Sequence, residues 1–189
     1  QPLTKAGSRN WRVSTTVRST GRRPRSVIAA EHLVLGSDLL APVLHGRAEL
    51  VLQAPDGTEV ADLDYDGRPR GRRQRWPGDP SERWARVGAS TPARVAALVD
   101  PDPRWVRLVG PAAVVEVTWE GLPHALLWQE LARSTTPPWD GQVVALGVEP
   151  TTTAHGAGTG AGGAVTLAPG GSMTWSTTLR VLDQGRSTP

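Results

Sequence analysis

The sequence predicts an all-β fold built from antiparallel sheets, and three observations lead to that class. Apolar and polar residues alternate in short runs such as residues 11–17, where Trp11, Val13 and Val17 would share one strand face. The 21 glycines and 17 prolines of the 189 residues recur between these runs and favour turns. No segment sustains an apolar repeat of 3.6 residues, so any helices must be short. These features are typical of a β-sandwich or barrel.

The strands follow one another along the whole chain. The first is followed by a turn at residues 19–21, and residues 26–35 are predicted to return beside it. Later strand pairs are separated by turn residues that cannot continue a strand, such as Pro55, Asp56 and Gly57. In chain order, the predicted strands are residues 11–17, 26–35, 48–52, 59–63, 94–99, 105–109, 114–119, 125–130, 143–148, 164–167 and 174–182.

The length of the chain predicts one domain. A chain of 189 residues can bury one core without covalent cross-links. We therefore assign residues 1–183 to a single β-sandwich domain and residues 184–189 to a disordered C-terminal tail. The first strand begins almost at residue 1, as though its sheet partners lay upstream, and an unprotected sheet edge is unfavourable. The domain is thus expected to be partial and to lack its N-terminal strands.

Composition excludes several classes of protein. There is no cysteine, so disulfides, zinc thiolates and cysteine nucleophiles are ruled out, and a reducing cytoplasm is the expected location. No apolar run reaches 18 residues, so no membrane span is predicted. The four histidines His32, His45, His124 and His155 lack metal-ligand spacing, and no G-x-S-x-G element is present. Neither a metal nor another cofactor is predicted.

The arginines are clustered, although the formal net charge is only +3. One cluster comprises Arg22, Arg23 and Arg25, and a second occupies residues 68–75. Such clusters can bind a phosphate backbone without sequence specificity, or they can belong to a solvated loop. Acidic residues lie on both sides of the second cluster, which favours the solvated loop. No specific nucleic-acid partner is predicted.

Glu149 and His32 are the side chains whose positions suggest chemistry. Glu149 follows an apolar run at residues 143–148, where desolvation would raise its pKa toward that of a useful general base. The alternative is an ordinary strand-end glutamate paired with an arginine. His32 lies within a similar apolar segment and, taken alone, could equally be a buried structural histidine.

The aromatic residues are unusual: eight tryptophans, one tyrosine and no phenylalanine. Tryptophan stacks well on the apolar face of a sugar ring and adds an N–H donor. Most of these side chains are expected to pack in the core. Trp128 and Trp139 are the better binding candidates because they flank a proline-containing loop at residues 135–138.

Taken together, several segments resemble the aldose 1-epimerase family. The resemblance rests on Leu-Pro-His-Ala-Leu-Leu-Trp-Gln at residues 122–129, Leu-Gly-Val-Glu-Pro-Thr-Thr at 146–152, and the L-x-P-G-x-S element at 167–172. Upstream, the turn at residues 20–24 and the Glu-His pair at 31–32 resemble the family's turn and its histidine-bearing segment. The order of the segments matches the C-terminal portion of the family.

This resemblance implies a large antiparallel β-supersandwich and a sugar mutarotase. In the family a glutamate takes the proton of the anomeric hydroxyl and a histidine protonates the ring oxygen, so the ring opens and closes on its other face. By resemblance Glu149 takes the role of the base and His32 that of the acid, on opposite sides of the bound pyranose. Trp128 and Gln129 would line the pocket. The implied partner is a small-molecule hexose or hexose derivative, with no membrane partner.

The sequence also departs from the family. The arginine and second histidine that the family carries in a more N-terminal segment have no counterpart here, so we expect this stretch alone to be inactive. The family's sugar-binding aspartate has no good match, since the nearest acids, Asp66 and Asp79, lie in the arginine-rich segment. The chain would then belong to a divergent subgroup. A non-catalytic carbohydrate-binding β-sandwich remains the alternative function.

Overall fold

The computed structural model describes residues 8–183, except residues 79–83, 112, 136, 138 and 157–161. The predicted tail at 184–189 lies outside the described residues. Fourteen strands and one short helix form the described part. They are β1 Ser8–Arg18, β2 Arg25–Val27, β3 Leu33–Leu35, α1 Ser37–Leu44, β4 Leu50–Gln53, β5 Glu59–Leu63, β6 Pro69–Arg75, β7 Arg86–Val87, β8 Arg94–Val99, β9 Trp105–Val109, β10 Ala113–Glu120, β11 His124–Leu131, β12 Val144–Thr151, β13 Val165–Leu167 and β14 Ser172–Asp183.

Two six-stranded antiparallel sheets carry the fold. The first has the strand order β1-β14-β10-β9-β4-β7, and the second has the order β3-β12-β11-β8-β5-β6. A two-stranded sheet, β13-β2, stands beside them. The all-β prediction is confirmed, and the architecture is an antiparallel sandwich, as the strand alternation and the family resemblance both implied.

The core lies between the two large sheets. Alternate residues of neighbouring strands point into it, for example Val106 and Leu108 from the first sheet and Leu98 and Leu127 from the second, all 1% exposed or less. A smaller apolar cluster, which includes Val95 and Ala97, lies on the opposite face of the second sheet. Because side chains alternate along a strand, the second sheet contributes to both clusters. Its outer face therefore has a partly apolar surface on which a site can be built.

Two predictions about strands were wrong. Residues 26–35 do not return beside β1: they divide into β2 and β3, and β1 pairs along all its 11 residues with β14. The chain leaves the first sheet at Ser19, whose N–H donates to the carbonyl of Gly171 at 2.8 Å, and it continues to the second sheet. The arginine-rich segment is also not a loop, because β6 forms the edge of the second sheet beside β5. Its charged side chains protect an open sheet edge.

The one helix of the described residues is short, as the lack of an apolar 3.6-residue repeat indicated. α1 spans Ser37–Leu44 and fully buries Leu40 and Val43 in the main core. No helix in the described ranges is both long and apolar enough to cross a membrane.

Candidate active site

A pocket of about 230 Å³ lies on the outer face of the second sheet. It is bordered by β8, β11 and β12, by the segment just before β3 and by the loops that follow β5, β11 and β12. Its lining combines two acids and a histidine with three aromatic rings and small apolar residues. The lining residues are His32, Tyr65, Asp66, Gly67, Val95, Leu126, Trp128, Trp139, Glu149 and Gly156.

Glu149 is held by β12 with its carboxyl group in this pocket. It lies opposite Leu126 of β11 in the strand register, and its side chain is 18% exposed. Burial raises the pKa of Glu149 above its usual range, while the nearby His32 acts in the opposite direction. Its partner among the described residues is this histidine rather than an arginine, so the ordinary arginine-paired alternative does not hold. The raised pKa is the property that a general base near neutral pH needs.

His32 reaches the same pocket from the segment just before β3. The Nε2 atom of His32 lies 2.7 Å from Oε1 of Glu149, and the imidazole is 61% exposed. The preceding residue fixes this segment: the N–H of Glu31 donates to the carbonyl of Pro150 at 2.8 Å. The Glu31 carboxylate also accepts hydrogen bonds from Trp175 Nε1 at 3.1 Å and from Thr15 Oγ1 at 3.3 Å. Glu31 therefore ties the histidine segment to both large sheets.

The contact between Glu149 and His32 differs from the expected arrangement. The two side chains share one pocket, but they touch, so a sugar ring cannot lie between them in this conformation. Both groups must approach a sugar from the same side. The anomeric hydroxyl and the ring oxygen of a pyranose are bonded to the same carbon, so an adjacent acid and base can reach both oxygens together.

Three aromatic rings form one wall of the pocket. Ring centroids are 5.3 Å apart between Trp128 and Trp139, 5.8 Å between Tyr65 and Trp139, and 6.4 Å between Tyr65 and Trp128. The Tyr65 hydroxyl donates to Oε2 of Glu130 at 2.5 Å. Burial and this hydrogen bond raise the pKa of Tyr65. The wall is thus anchored by a buried acid and presents ring faces and edges to a ligand.

Glu130 stabilises the loop that carries Trp139. Its Oε1 accepts the backbone N–H groups of Arg133 at 2.5 Å and Ser134 at 3.1 Å. Burial raises the pKa of Glu130, but hydrogen bonds from Ser134, Tyr65 and these N–H groups lower it more, so the net pKa lies below the usual range. Glu130 is therefore ionised at neutral pH and holds its neighbours in place.

A close contact between two glycines also borders the pocket. The N–H of Gly156 donates to the carbonyl of Gly67 at 2.8 Å, and a β-carbon at Gly67 would lie 2.5 Å from the α-carbon of Gly156. Gly67 also has φ +77°, which disfavours other residues. The contact places Asp66 at the pocket, where its carboxylate pairs with Arg68 at 2.6 Å.

Gln129 does not share the pocket with its neighbour Trp128. Because side chains alternate, Gln129 points to the core side of β11 and is 1% exposed. Its Oε1 accepts a hydrogen bond from Nε of Arg94 at 2.6 Å. Gln129 is therefore placed for packing rather than for sugar contact. His124 also lies elsewhere, with Nδ1 accepting the N–H of Asp100 at 3.0 Å, and burial lowers its pKa.

Tyr65, Asp66 and Glu130 join the site only through the tertiary structure. Asp66 lies in the turn between β5 and β6. Several arginines are close to it in the sequence, so sequence patterns alone offered no reason to single it out as a site residue. Asp79, the other acid considered from the sequence, lies outside the described residues. A sequence signal for Tyr65 exists in hindsight, since it is the chain's one tyrosine and precedes an Asp-Gly turn. Across the described ranges, no group of three or more acidic or histidine side chains could hold a metal ion.

Comparison with solved structures identifies the fold. A protein from Escherichia coli K12 provisionally named an aldose 1-epimerase aligns with a TM-score of 0.61 at 14% identity, covering 91% of this chain and 56% of that one. A galactose mutarotase-like protein from Clostridium acetobutylicum aligns with a TM-score of 0.62 at 14% identity, covering 91% and 52%. A galactose mutarotase-like protein from Lactobacillus casei ATCC 334 aligns with a TM-score of 0.59 at 14% identity, covering 90% and 58%.

The chain therefore has the galactose mutarotase-like fold. It spans about half the length of the solved structures that it matches. No protein-family model and no curated protein matches the sequence. The similarity is structural and the sequence identity is low, so it establishes the fold alone. The activity has to be argued from the chemistry of the site.

Proposed function

We propose that this protein is an aldose 1-epimerase-like isomerase that binds a hexose or hexose derivative and interconverts its α and β anomers. The observation that carries the proposal is the Glu149–His32 contact of 2.7 Å inside a pocket with an aromatic wall. An acid and a base in contact suit a reaction that removes a proton from the anomeric hydroxyl and adds a proton to the neighbouring ring oxygen. The cysteine-free sequence fits a reducing cytoplasm as the place of action.

The reaction begins from ionised Glu149 and protonated His32. Glu149 accepts the proton of the anomeric hydroxyl while His32 donates a proton to the ring oxygen. The bond from C1 to the ring oxygen breaks, and its electron pair goes to that oxygen as C1 becomes a carbonyl carbon. Rotation about the C1–C2 bond turns the other carbonyl face toward the C5 hydroxyl. The reverse proton transfers then close the ring as the other anomer.

The rest of the pocket is suited to holding the sugar. Trp128 and Trp139 offer apolar ring surface to the C–H face of a pyranose. The carboxylate of Asp66 can accept hydrogen bonds from sugar hydroxyl groups, which is the role of the aspartate that the family resemblance left unmatched. Among the described residues that line the pocket there are two acids and no arginine, so their charge balance favours a neutral sugar over a phosphorylated one.

Polarimetry tests this proposal directly. Freshly dissolved α-glucose and α-galactose change optical rotation as their anomers equilibrate, and the gene product at its natural length should accelerate that change in proportion to its concentration. NMR exchange between the anomeric protons gives an independent rate at equilibrium. If neither sugar equilibrates faster with the protein than with buffer, the isomerase proposal fails for these hexoses.

A carbohydrate-binding β-sandwich without catalysis is the second candidate. The observation in its favour is that Nε2 of His32 lies 2.7 Å from Oε1 of Glu149, because a pair that stays bonded to itself would not exchange protons with a bound sugar. Tryptophan fluorescence distinguishes the two candidates. Saturable quenching by sugar, together with unaccelerated mutarotation, would identify the binding module.

A further inference from the structure

Gly147 lies within β12, two positions before Glu149, and it is buried. β12 is an interior strand of the second sheet, between β3 and β11. A glycine inside a strand contributes no side chain to packing, and it often marks a place where another group approaches the backbone closely. The φ of Gly147 does not lie in the left-handed region, so its backbone conformation would accept other residues. The restriction at this position therefore comes from the space around it.

The Glu149 carboxylate and Trp128 fill that space. A β-carbon on Gly147 would lie 3.0 Å from Oε1 of Glu149 and 3.2 Å from Cβ of Trp128. Glu149 shares this face because residues two apart along a strand point to the same side, and Trp128 is the register partner of Gly147 on β11. The same Oε1 atom lies 2.7 Å from Nε2 of His32. Gly147 thus borders the oxygen that makes the contact between acid and base.

A side chain at this position would displace the carboxylate rather than the tryptophan. A carbon–oxygen separation of 3.0 Å is shorter than an ordinary van der Waals contact, so one neighbour must move by a few tenths of an ångström. The Cβ atom of Trp128 is held by β11, which pairs with β12 along its whole length. The carboxyl group of Glu149, by contrast, ends a flexible side chain. The fold would accept the substitution, and the carboxylate would change position.

We infer that Gly147 is a positioning residue for Glu149, an inference that rests on the proposed function. Because Gly147 lacks a side chain, the carboxylate can lie against β12, within reach of both His32 and a sugar stacked on Trp128. A misplacement of about 1 Å can lower a catalysed rate by roughly 10²-fold. Gly147→Ala requires a smaller shift and should lower kcat by about 3- to 10-fold, whereas the bulkier Gly147→Val should lower it by about 100-fold.

Mutarotation kinetics of the gene product at its natural length test this role. Gly147→Ala should lower kcat for α-galactose and α-glucose, while sugar affinity read from tryptophan quenching should change by less than about threefold. Gly88→Ala is a matched control, because its β-carbon would lie 3.1 Å from Oε1 of Glu49, a surface acid paired with Arg86. The control should leave kcat unchanged. An equal loss of kcat in the control, or an unchanged kcat in Gly147→Val, would overturn the inference.

A double variant shows whether Gly147 acts through the carboxylate. Aspartate is one methylene group shorter than glutamate, so Glu149→Asp withdraws the carboxylate from the space beside Gly147. The loss of kcat caused by Gly147→Ala should therefore be smaller when Glu149→Asp is also present than in the wild type. Independent effects of the two substitutions would contradict a role that operates through Glu149.

The NMR resonance of His32 Nε2 gives a readout that does not depend on activity. It reports the contact with Glu149, so Gly147→Ala should move it toward its position in Glu149→Ala, where the contact is lost. Gly88→Ala should leave it unchanged. If the wild type does not accelerate mutarotation but the resonance moves as expected, the proposed function fails and the positioning role holds. A resonance that Gly147→Ala does not move would overturn the positioning role.

Discussion

Replacing Glu149 with glutamine removes the proposed base while keeping the size of the side chain. Glutamine cannot accept the proton of the anomeric hydroxyl, although its amide oxygen can still accept a hydrogen bond from His32. A positioned general base contributes about 10²–10⁴-fold to a rate. The Glu149 side chain is 18% exposed and lies 2.7 Å from His32, so a rate loss in the upper half of that range, about 10³–10⁴-fold, is expected. The corresponding loss of transition-state stabilisation is about 4–5 kcal/mol.

The assay is polarimetric mutarotation of α-galactose and α-glucose at several pH values. Because burial raises the pKa of Glu149, its base form is lost at a higher pH than for an ordinary glutamate. The acid limb of kcat/KM should therefore lie above the usual glutamate range in the wild type, and Glu149→Gln should abolish that limb. Glu49→Gln is a matched control, since Glu49 is a half-exposed surface acid paired with Arg86. Unchanged mutarotation by Glu149→Gln would refute the assignment of the base.

The same substitution is expected to change stability in the opposite direction from activity. A carboxyl group whose folded-state pKa is raised favours the native state below its unfolded pKa, and this contribution is lost as pH rises through the folded pKa. Glutamine carries no such pH-dependent penalty. The unfolding free energy of Glu149→Gln should thus compare more favourably with that of the wild type at pH 7–8 than near pH 4. Urea unfolding at both pH values measures this difference. A gain confined to the acidic condition would contradict the raised pKa.

Three other predictions concern the walls of the pocket. Trp128→Leu should weaken sugar binding by about 1–2 kcal/mol because an aromatic face is lost, as read from fluorescence quenching, with the exposed Trp11 changed to leucine as the control. Gly67→Ala should destabilise the chain by about 1–3 kcal/mol in urea unfolding and should weaken sugar binding, since the new β-carbon would meet Gly156 and alanine disfavours the positive φ of this position. Full retention of affinity would show that this contact does not shape the site. Tyr65→Phe removes the hydrogen bond to Glu130 and leaves its buried carboxylate less satisfied, which should cost about 1–3 kcal/mol in the same unfolding measurement, and an unchanged midpoint would refute that role.

Several strands were predictable because their positions along the chain follow from local alternation. The runs at residues 59–63, 94–99 and 105–109 coincide with β5, β8 and β9. Alternation reports which residues face the core, and it is a property of adjacent residues. It carries no information on which strand pairs with which. The prediction that residues 26–35 return beside β1 was therefore wrong, because the partner of β1 is β14, more than 150 residues away.

The sequence by itself determined the strand class and the candidates Glu149, His32 and Trp128, through apolar runs and the family resemblance. Only the tertiary structure decided that Glu149 and His32 touch, because β3 pairs with β12 across more than 100 residues of chain. It also decided that Trp128 faces the pocket while Gln129 faces the core, because this depends on which face of the sheet is covered by its partner sheet. Tyr65 and Asp66 joined the site because the glycine contact at Gly67 and Gly156 brings two distant loops together. Local patterns record burial and alternation, whereas a site requires distances between remote residues, and those arise only when the sheets assemble.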